Sequence, residues 1–300
     1  MTVLVTGANG FVGTALCLRF AKHGIATRSA ARLWPTGQRN AGTIDVGDIS
    51  ANSDWSAALA NVDMVVHLAA RVHVMHDISL SALNEFRRVN VEGTANLARQ
   101  AAAAGVRRFV FLSSIKVNGE FTDAAKPFTA DELPAPEDPY GVSKLEAENV
   151  LRQISSRTGM EAVIIRPPLV YGPRVKANFE SMMRWLARGV PLPLAAMTEN
   201  RRSLVALDNL VDLITTCLNH PAAANQTFLV SDGEDLSTAE LLKRMGAAMG
   251  HPARLFYLPP GLLKLGAVVM RKPGIYQRLC GSLQLDITKT RQLLGWVPPV

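Results

Sequence analysis

The first half of the chain alternates short apolar, β-branched runs with longer stretches whose apolar residues recur at helical spacing. Thr2–Thr6 reads as a strand stopped by glycine, and Phe11 to about His23 as a helix. Ile25–Ala31 is a second strand, Ala41–Val46 a weaker third, and Asp63–Leu68 a continuous apolar run of strand length. Ala82–Ala104 reads as one long Ala-rich helix ended by Gly105. Arg108–Leu112 (strand), Pro139 to about Thr158 (helix) and Glu161–Arg166 (strand) follow. Uninterrupted apolar strands separated by helices need cover on both faces, which predicts a parallel sheet in an α/β protein.

After Arg166 the rhythm loosens and prolines punctuate it. Helices are expected near 178–189, 208–219, 237–249 and 261–271, with short strands near 203–207 and 226–230. The expected architecture is a Rossmann-type doubly wound parallel sheet over 1–170. A smaller C-terminal α/β substrate lobe follows over 171–300, part of about 203–232 returning to the main sheet. The apolar stretch after Arg254, broken by Pro259, Pro260 and Lys264, is expected to be a helix packed in a core.

Composition narrows the class. With 48% hydrophobic residues, 300 residues are ample for a full core. No apolar run reaches the roughly 20 residues of a membrane span, and the first residues do not resemble a signal peptide. No integral membrane segment and a cytoplasmic location are therefore expected. Cys17, Cys217 and Cys280 form no CxxC pair and read as reduced thiols. His73 and His76 lack acidic or cysteine neighbours in a ligand pattern, so no metal is expected. The net charge of +7 is spread as short pairs (Arg87-Arg88, Arg107-Arg108, Arg201-Arg202, Arg271-Lys272) without a long basic tract. A small anionic ligand fits this better than nucleic acid.

Two motifs carry chemistry. Thr6-Gly7-Ala8-Asn9-Gly10-Phe11-Val12-Gly13 follows the first strand and opens a helix. A dinucleotide pyrophosphate needs a tight turn, close backbone approach and free N–H groups at a helix N-terminus. Gly7, Gly10 and Gly13 supply the first two; the segment through Asn9, Phe11 and Val12 supplies the third. The second strand ends at Ala31-Arg32, with no acid to hold a ribose diol. Arg32 could instead pair with a 2′-phosphate, which favours NADP(H) and leaves NAD(H) possible. Asp48 and Ile49, after the third strand, are placed for the adenine.

The second motif is Ser114, Tyr140 and Lys144. Tyr140 and Lys144 lie i, i+4 on one helix face. An ammonium beside the phenol is expected to lower its pKa, so that Tyr140 can exchange a proton with a hydroxyl while hydride moves to or from nicotinamide. Ser114, at a strand end, can donate to the same oxygen, and Lys144 can reach the nicotinamide ribose.

In this order the motifs resemble the extended short-chain dehydrogenase/reductases, specifically the nucleotide-sugar epimerase/dehydratase group. The carriers are TGANGFVG (6–13), GDI (47–49), HLAA (67–70), VNVEGTANL (89–97), SSIKVNG (113–119), YGVSK (140–144), RPPLVYGP (166–173), RRSLVALDNLVD (201–212) and LGWVP (294–298). The resemblance implies that Leu68, Ala69 and Ala70 line the cofactor, that Asn90 supports the sheet and site, and that Pro167 borders the nicotinamide. It places Asn178, Arg202 and residues near Arg278 and Asp286 around a nucleotide diphosphate, and Asn118 among the sugar contacts. It also implies a UDP-sugar as partner and a possible homodimer through the helices at 82–104 and 139–158.

Departures sharpen this expectation. Similar 4,6-dehydratases carry Asp and Glu after the catalytic hydroxyl residue, where this chain has Ile115 and Lys116. Dehydration therefore lacks its acid/base pair. Where NAD-retaining sugar 4-epimerases have an acid after the second strand, this chain has Ala31. The segments at 67–75 and 113–119 look most like bacterial polysaccharide-biosynthesis enzymes acting on UDP-linked N-acetylamino sugars. The resulting expectation is a 4-ketoreductase for a UDP-linked 4-keto-6-deoxyhexose, with a UDP-sugar 4-epimerase as the alternative. A non-catalytic NAD(P)-binding regulator is disfavoured because Tyr140 and Lys144 are both present.

Overall fold

A computed structural model of the chain describes residues 1–35, 37, 39–40, 42–72, 80–123, 126–176, 178–269 and 273–300. His73, His76, Arg271 and Lys272 lie outside the described residues, so the expectation about the two histidines has no structural counterpart here. The strands are β1 (Thr2–Thr6), β2 (Ala26–Ala31), β3 (Thr43–Asp45), β4 (Met64–His67), β5 (Arg108–Leu112), β6 (Glu161–Arg166), β7 (Leu169–Tyr171), β8 (Arg202–Ala206), β9 (Thr227–Leu229) and β10 (Asp235–Leu236). The helices are α1 (Phe11–Lys22), α2 (Ser56–Leu59), α3 (Leu80–Phe86), α4 (Thr94–Ala103), α5 (Pro139–Thr158), α6 (Asn178–Ala187), α7 (Leu207–Asn219), α8 (Thr238–Ala248), α9 (Pro260–Val269), α10 (Pro273–Cys280) and α11 (Thr288–Leu294).

Seven strands form the main sheet in the order β3-β2-β1-β4-β5-β6-β9, every neighbouring pair parallel. This is the doubly wound arrangement. Its switch point lies between β1 and β4, beside the loop carrying the three glycines. Period-2 alternation sends Val3, Val5, Val66 and Ile165 to one core with Leu16 and Phe20 of α1 and Leu210 and Ile214 of α7. Leu4, Val65, Phe109 and Ile164 point the other way, onto Leu97 and Ala101 of α4 and Leu151 of α5. Both faces are dry, which explains why these strands carry unbroken apolar runs.

The second half builds a three-stranded sheet, β10-β8-β7, over a separate small core around Phe179, Met182, Leu204 and Leu242. The chain returns to the main sheet through β9, which pairs with β6.

Two expectations need correction. The helix predicted over 82–104 is not one regular α-helix: Arg87–Gly93 forms a π-helical segment between α3 and α4. The wider turn carries Asn90 into the interior, where it accepts from the Arg71 N–H at 2.8 Å and donates to Ser143 Oγ at 3.0 Å. The apolar stretch after Arg254 does form a helix, α9, but not a core helix. Leu263 packs on the small core, whereas Leu262, Leu265, Val268 and Val269 are exposed.

Candidate active site

The glycine loop has the shape a dinucleotide requires. Gly7 has φ +67°, and a Cβ there would lie 2.9 Å from the Ala69 nitrogen. A Cβ on Gly13 would come within 2.1 Å of the Gly7 carbonyl oxygen. Only glycine fits either place. Gly10 caps α1 with no side chain, so the first N–H groups of the helix, from Phe11, Val12 and Gly13, point outward without a capping partner. Asn9 braces the turn by donating to the Leu33 carbonyl at 3.2 Å. The cradle thus fits a pyrophosphate on the chemistry of its own backbone.

Leu68–Ala70 form the facing wall, held by hydrogen bonds between motifs that the sequence did not join. The buried His67 ring lies 2.6 Å from Thr6 Oγ1 and 3.0 Å from Thr94 Oγ1, and Thr6 Oγ1 also accepts from the Ala69 N–H. Burial, then the nearby Lys144 charge, lowers the imidazole pKa to about 3, so His67 is a neutral strut. At the end expected to take the adenine, Ile49 packs against Gly93, where an added Cβ would clash with Ile49 Cγ2. Arg32 Nε and Asp48 Oδ1 form an exposed ion pair at 3.0 Å. Exposed pairs of this kind contribute little, so either group can be released to a ligand.

The three candidate catalytic residues lie around the end of β5. Asp138 N-caps α5 by accepting from the Gly141 N–H at 2.6 Å, and Pro139 suits the first turn. This fixes Tyr140 against Phe86 and places Lys144 one turn deeper. Lys144 Nζ donates to the Leu112 carbonyl at 2.8 Å and sits 4.4 Å from the Phe111 ring centroid and 6.0 Å from that of Tyr140. Ser114 opens a 3-10 turn and accepts from the Lys116 N–H at 3.3 Å. The Ile115 N–H bonds the Pro167 carbonyl at 3.0 Å, bringing Pro167 beside the same turn.

The electrostatics differ from the expectation of a lowered phenol pKa. Burial, with the Asp138 carboxylate adding to it, raises the Tyr140 pKa above its ordinary value. Burial also drives Lys144 down to about 7, against the opposing pull of Glu148. Lys144 directs its hydrogen bond to the Leu112 carbonyl, so burial sets the direction of both shifts. Tyr140 is therefore a neutral phenol holding a transferable proton.

Beneath the trio lies a buried polar layer that the sequence did not disclose. Glu148, one turn past Lys144, receives Arg166 through Nε at 2.9 Å and Nη2 at 2.6 Å, and Ser113 Oγ donates to it as well. Arg166 Nη1 continues to Asn118 Oδ1 at 2.9 Å. The Asn118 amide donates to the Thr129 carbonyl and to Glu132. Asn118 is buried and its amide is engaged within the protein, an arrangement that suits bracing. The available signals were an acid four residues after Lys144 and an arginine ending an apolar strand.

The remaining candidates are less concentrated. Ile115 is a core residue, and Lys116 is ion-paired to Asp138 and Glu120, so neither offers an acid to a substrate. Arg202 is mostly enclosed and donates to the Gly281 carbonyl at 3.0 Å; burial lowers its pKa and the nearby Glu120 opposes this. Arg278 is exposed on α10, Asn178 begins α6, and Asp286 caps the turn into α11 by accepting from the Thr288 N–H. Among the described residues, no group of three His, Cys, Asp or Glu side chains is placed to hold a metal.

Comparison with known proteins places the chain in a family. The model of the NAD dependent epimerase/dehydratase family matches residues 3–231. A UDP-glucose 4-epimerase of Vibrio cholerae is 48% identical over 299 residues, covering 99% of this chain and 91% of that protein. An N-acetyl-alpha-D-glucosaminyl-diphospho-ditrans,octacis-undecaprenol 4-epimerase of Escherichia coli O157:H7 is 29% identical, covering 99% of this chain and 90% of its own length. Among solved structures, UDP-glucose 4-epimerase from Thermotoga maritima with UDP-glucose superposes with a TM-score of 0.78 at 23% identity. That match covers 100% of this chain and 94% of that one, and shows a shared Rossmann-type fold.

Proposed function

The chain belongs to the NAD-dependent epimerase/dehydratase family, and from that premise we propose that it is a UDP-sugar 4-epimerase of the UDP-glucose or UDP-N-acetylglucosamine type. The observation that carries this reading is the 48% identity, along nearly the whole chain, to the Vibrio cholerae UDP-glucose 4-epimerase. It reverses the order drawn from Arg32 alone, which placed a 4-ketoreductase first.

The residues suit chemistry at one sugar carbon. Gly7–Gly13 would cradle a nicotinamide dinucleotide and Leu68–Ala70 would wall it, and when bound it would supply a reversible hydride acceptor. Tyr140 exchanges the proton of the C4 hydroxyl, and Ser114 donates a hydrogen bond to the same oxygen. To take up the proton of the C4 hydroxyl, Tyr140 would first have to give up its own, and a protonated Lys144 would favour that phenolate form. Inversion at C4 would require the 4-keto sugar to present its opposite face before it is reduced again. Without acids at 115 and 116 there is no partner for water elimination. Arg202, with Asn178 and Arg278 as further candidates, would hold the diphosphate and orient the sugar.

A second reading is favoured by one feature. Arg32 ends β2 beside Ala31 rather than an acid, which suits NADP(H) and a 4-ketoreductase. The two separate on cofactor balance. Incubation with UDP-glucose or UDP-N-acetylglucosamine and no added reductant should yield the C4 epimer with no net change in absorbance at 340 nm. Absence of epimer, together with stoichiometric NADPH oxidation by a UDP-4-keto-6-deoxy-N-acetylhexosamine, would establish the reductase instead.

A further inference from the structure

Helix α9 leaves a stripe of large apolar side chains uncovered. Leu262, Leu265 and Val269, spaced three and four residues apart, are 55%, 59% and 74% exposed, with Val268 beside them. Phe256 and Tyr257, just ahead of the helix, are exposed as well. A contiguous patch of this kind on a folded chain marks a docking surface.

Charge identifies what docks there. Between residues 241 and 285 the chain carries seven Lys or Arg and no Asp or Glu. The rest of the chain holds 25 of each sign, so the whole excess of +7 resides in this segment. Arg244 is engaged by Glu234 and Glu240, while Lys264 projects from α9 itself and Arg271-Lys272 follow it directly in the sequence. A second copy of the chain docking on this face would bring like charges together. A nucleic acid offers nothing to the leucines. An anionic bilayer satisfies both requirements, because its headgroups attract the cations while its acyl boundary accepts the apolar stripe. With ten residues α9 is too short to span a bilayer, so it would lie in the interface.

We propose that the α9 face is a membrane-docking surface that holds the enzyme reversibly on anionic phospholipid. The stripe lies outside Ser114, Tyr140, Lys144 and the glycine loop, so docking and turnover are separable.

The test is co-sedimentation of the full chain with phosphatidylcholine vesicles, with and without about 30 mol% phosphatidylglycerol. Binding should be at least about tenfold tighter to the anionic vesicles and should weaken sharply at about 0.5 M NaCl. The double variant Leu262→Gln/Leu265→Gln should lose about tenfold or more in vesicle affinity while keeping its thermal transition and sugar turnover. Lys264→Glu leaves the leucines in place and guards against misfolding of the double variant; it should lose about fivefold or more. Three results would overturn the proposal: no sedimentation of the wild-type chain, equal binding to neutral vesicles, or unaltered binding by both variants. A wild-type dimer that the double variant converts to monomer would assign the face to a second copy instead.

Discussion

Lys144 shows how a single buried charge connects stability with chemistry. Its pKa falls from 10.5 to about 7 because burial withdraws water from the ammonium. Below pH 7 the amine is protonated in folded and unfolded chains alike. Between about pH 7 and 10.5 the unfolded chain binds the extra proton, so stability rises with pH across that window and is lost again as pH falls through 7. Urea unfolding of the wild-type chain should gain up to about 1.4 kcal/mol per pH unit from this residue, and Lys144→Met should remove that slope. Tyr140 offers the complementary experiment. Replacing it with Phe removes the transferable proton but leaves the ring against Phe86. Turnover should fall by about 10²- to 10⁴-fold with cofactor affinity unchanged, as read by stopped-flow kinetics and a binding titration. The i, i+4 spacing of this pair was legible in the sequence because helix geometry is local. The direction of the Tyr140 pKa was not, because it depends on how deeply the folded chain buries the phenol and on the Asp138 carboxylate beside it.

At the scale of elements, legibility followed capping and periodicity. Helix α5 has the predicted limits because Asp138, Pro139 and Gly159 mark both ends by local chemistry. Helix α7 begins within one residue of its expected start, since its apolar face recurs at helical spacing. Strands β7 and β10 span three and two residues, too few for any period to show. The exposure of α9 was hidden for another reason: a run of leucine and valine reads as core whether or not a partner covers it. The Glu148–Arg166 pair was illegible because its partners sit on α5 and β6 and only packing makes them neighbours. Both are buried, and Glu148→Gln would leave the Arg166 guanidinium without its counter-charge. That should cost about 3–5 kcal/mol in urea unfolding. Because Ser113 and Asn118 hang on the same layer, kcat should fall as well, with KM for the nucleotide sugar little changed.

Across the whole molecule, the first and second halves are fastened at the end of the interior strand β5 that lies away from the candidate active site. Arg108 begins β5, whereas Leu112 ends it and Ser114 follows in the next turn, on the side of the candidate site. Its buried guanidinium donates through Nη1 to the carbonyls of Cys217, Leu218 and His220 at 2.8, 2.9 and 2.9 Å, and through Nε to Glu161 at 2.6 Å. It thereby closes the C-terminus of α7, where the helix dipole is negative, onto β5 and β6. Arg108→Met fills similar space but strands these acceptors, and should lower global stability by about 3–5 kcal/mol. The loss should not be uniform. Amide exchange should accelerate most in α7, while α4 and α5 keep their protection, because those helices pack on the other face of the sheet. Since the clamp lies at the opposite end of β5 from Ser114, kcat and KM measured well below the lowered melting temperature should match the wild type. An equal fall in turnover and stability would mean that the two ends of the sheet are coupled, and that the cofactor cradle is not held independently of α7.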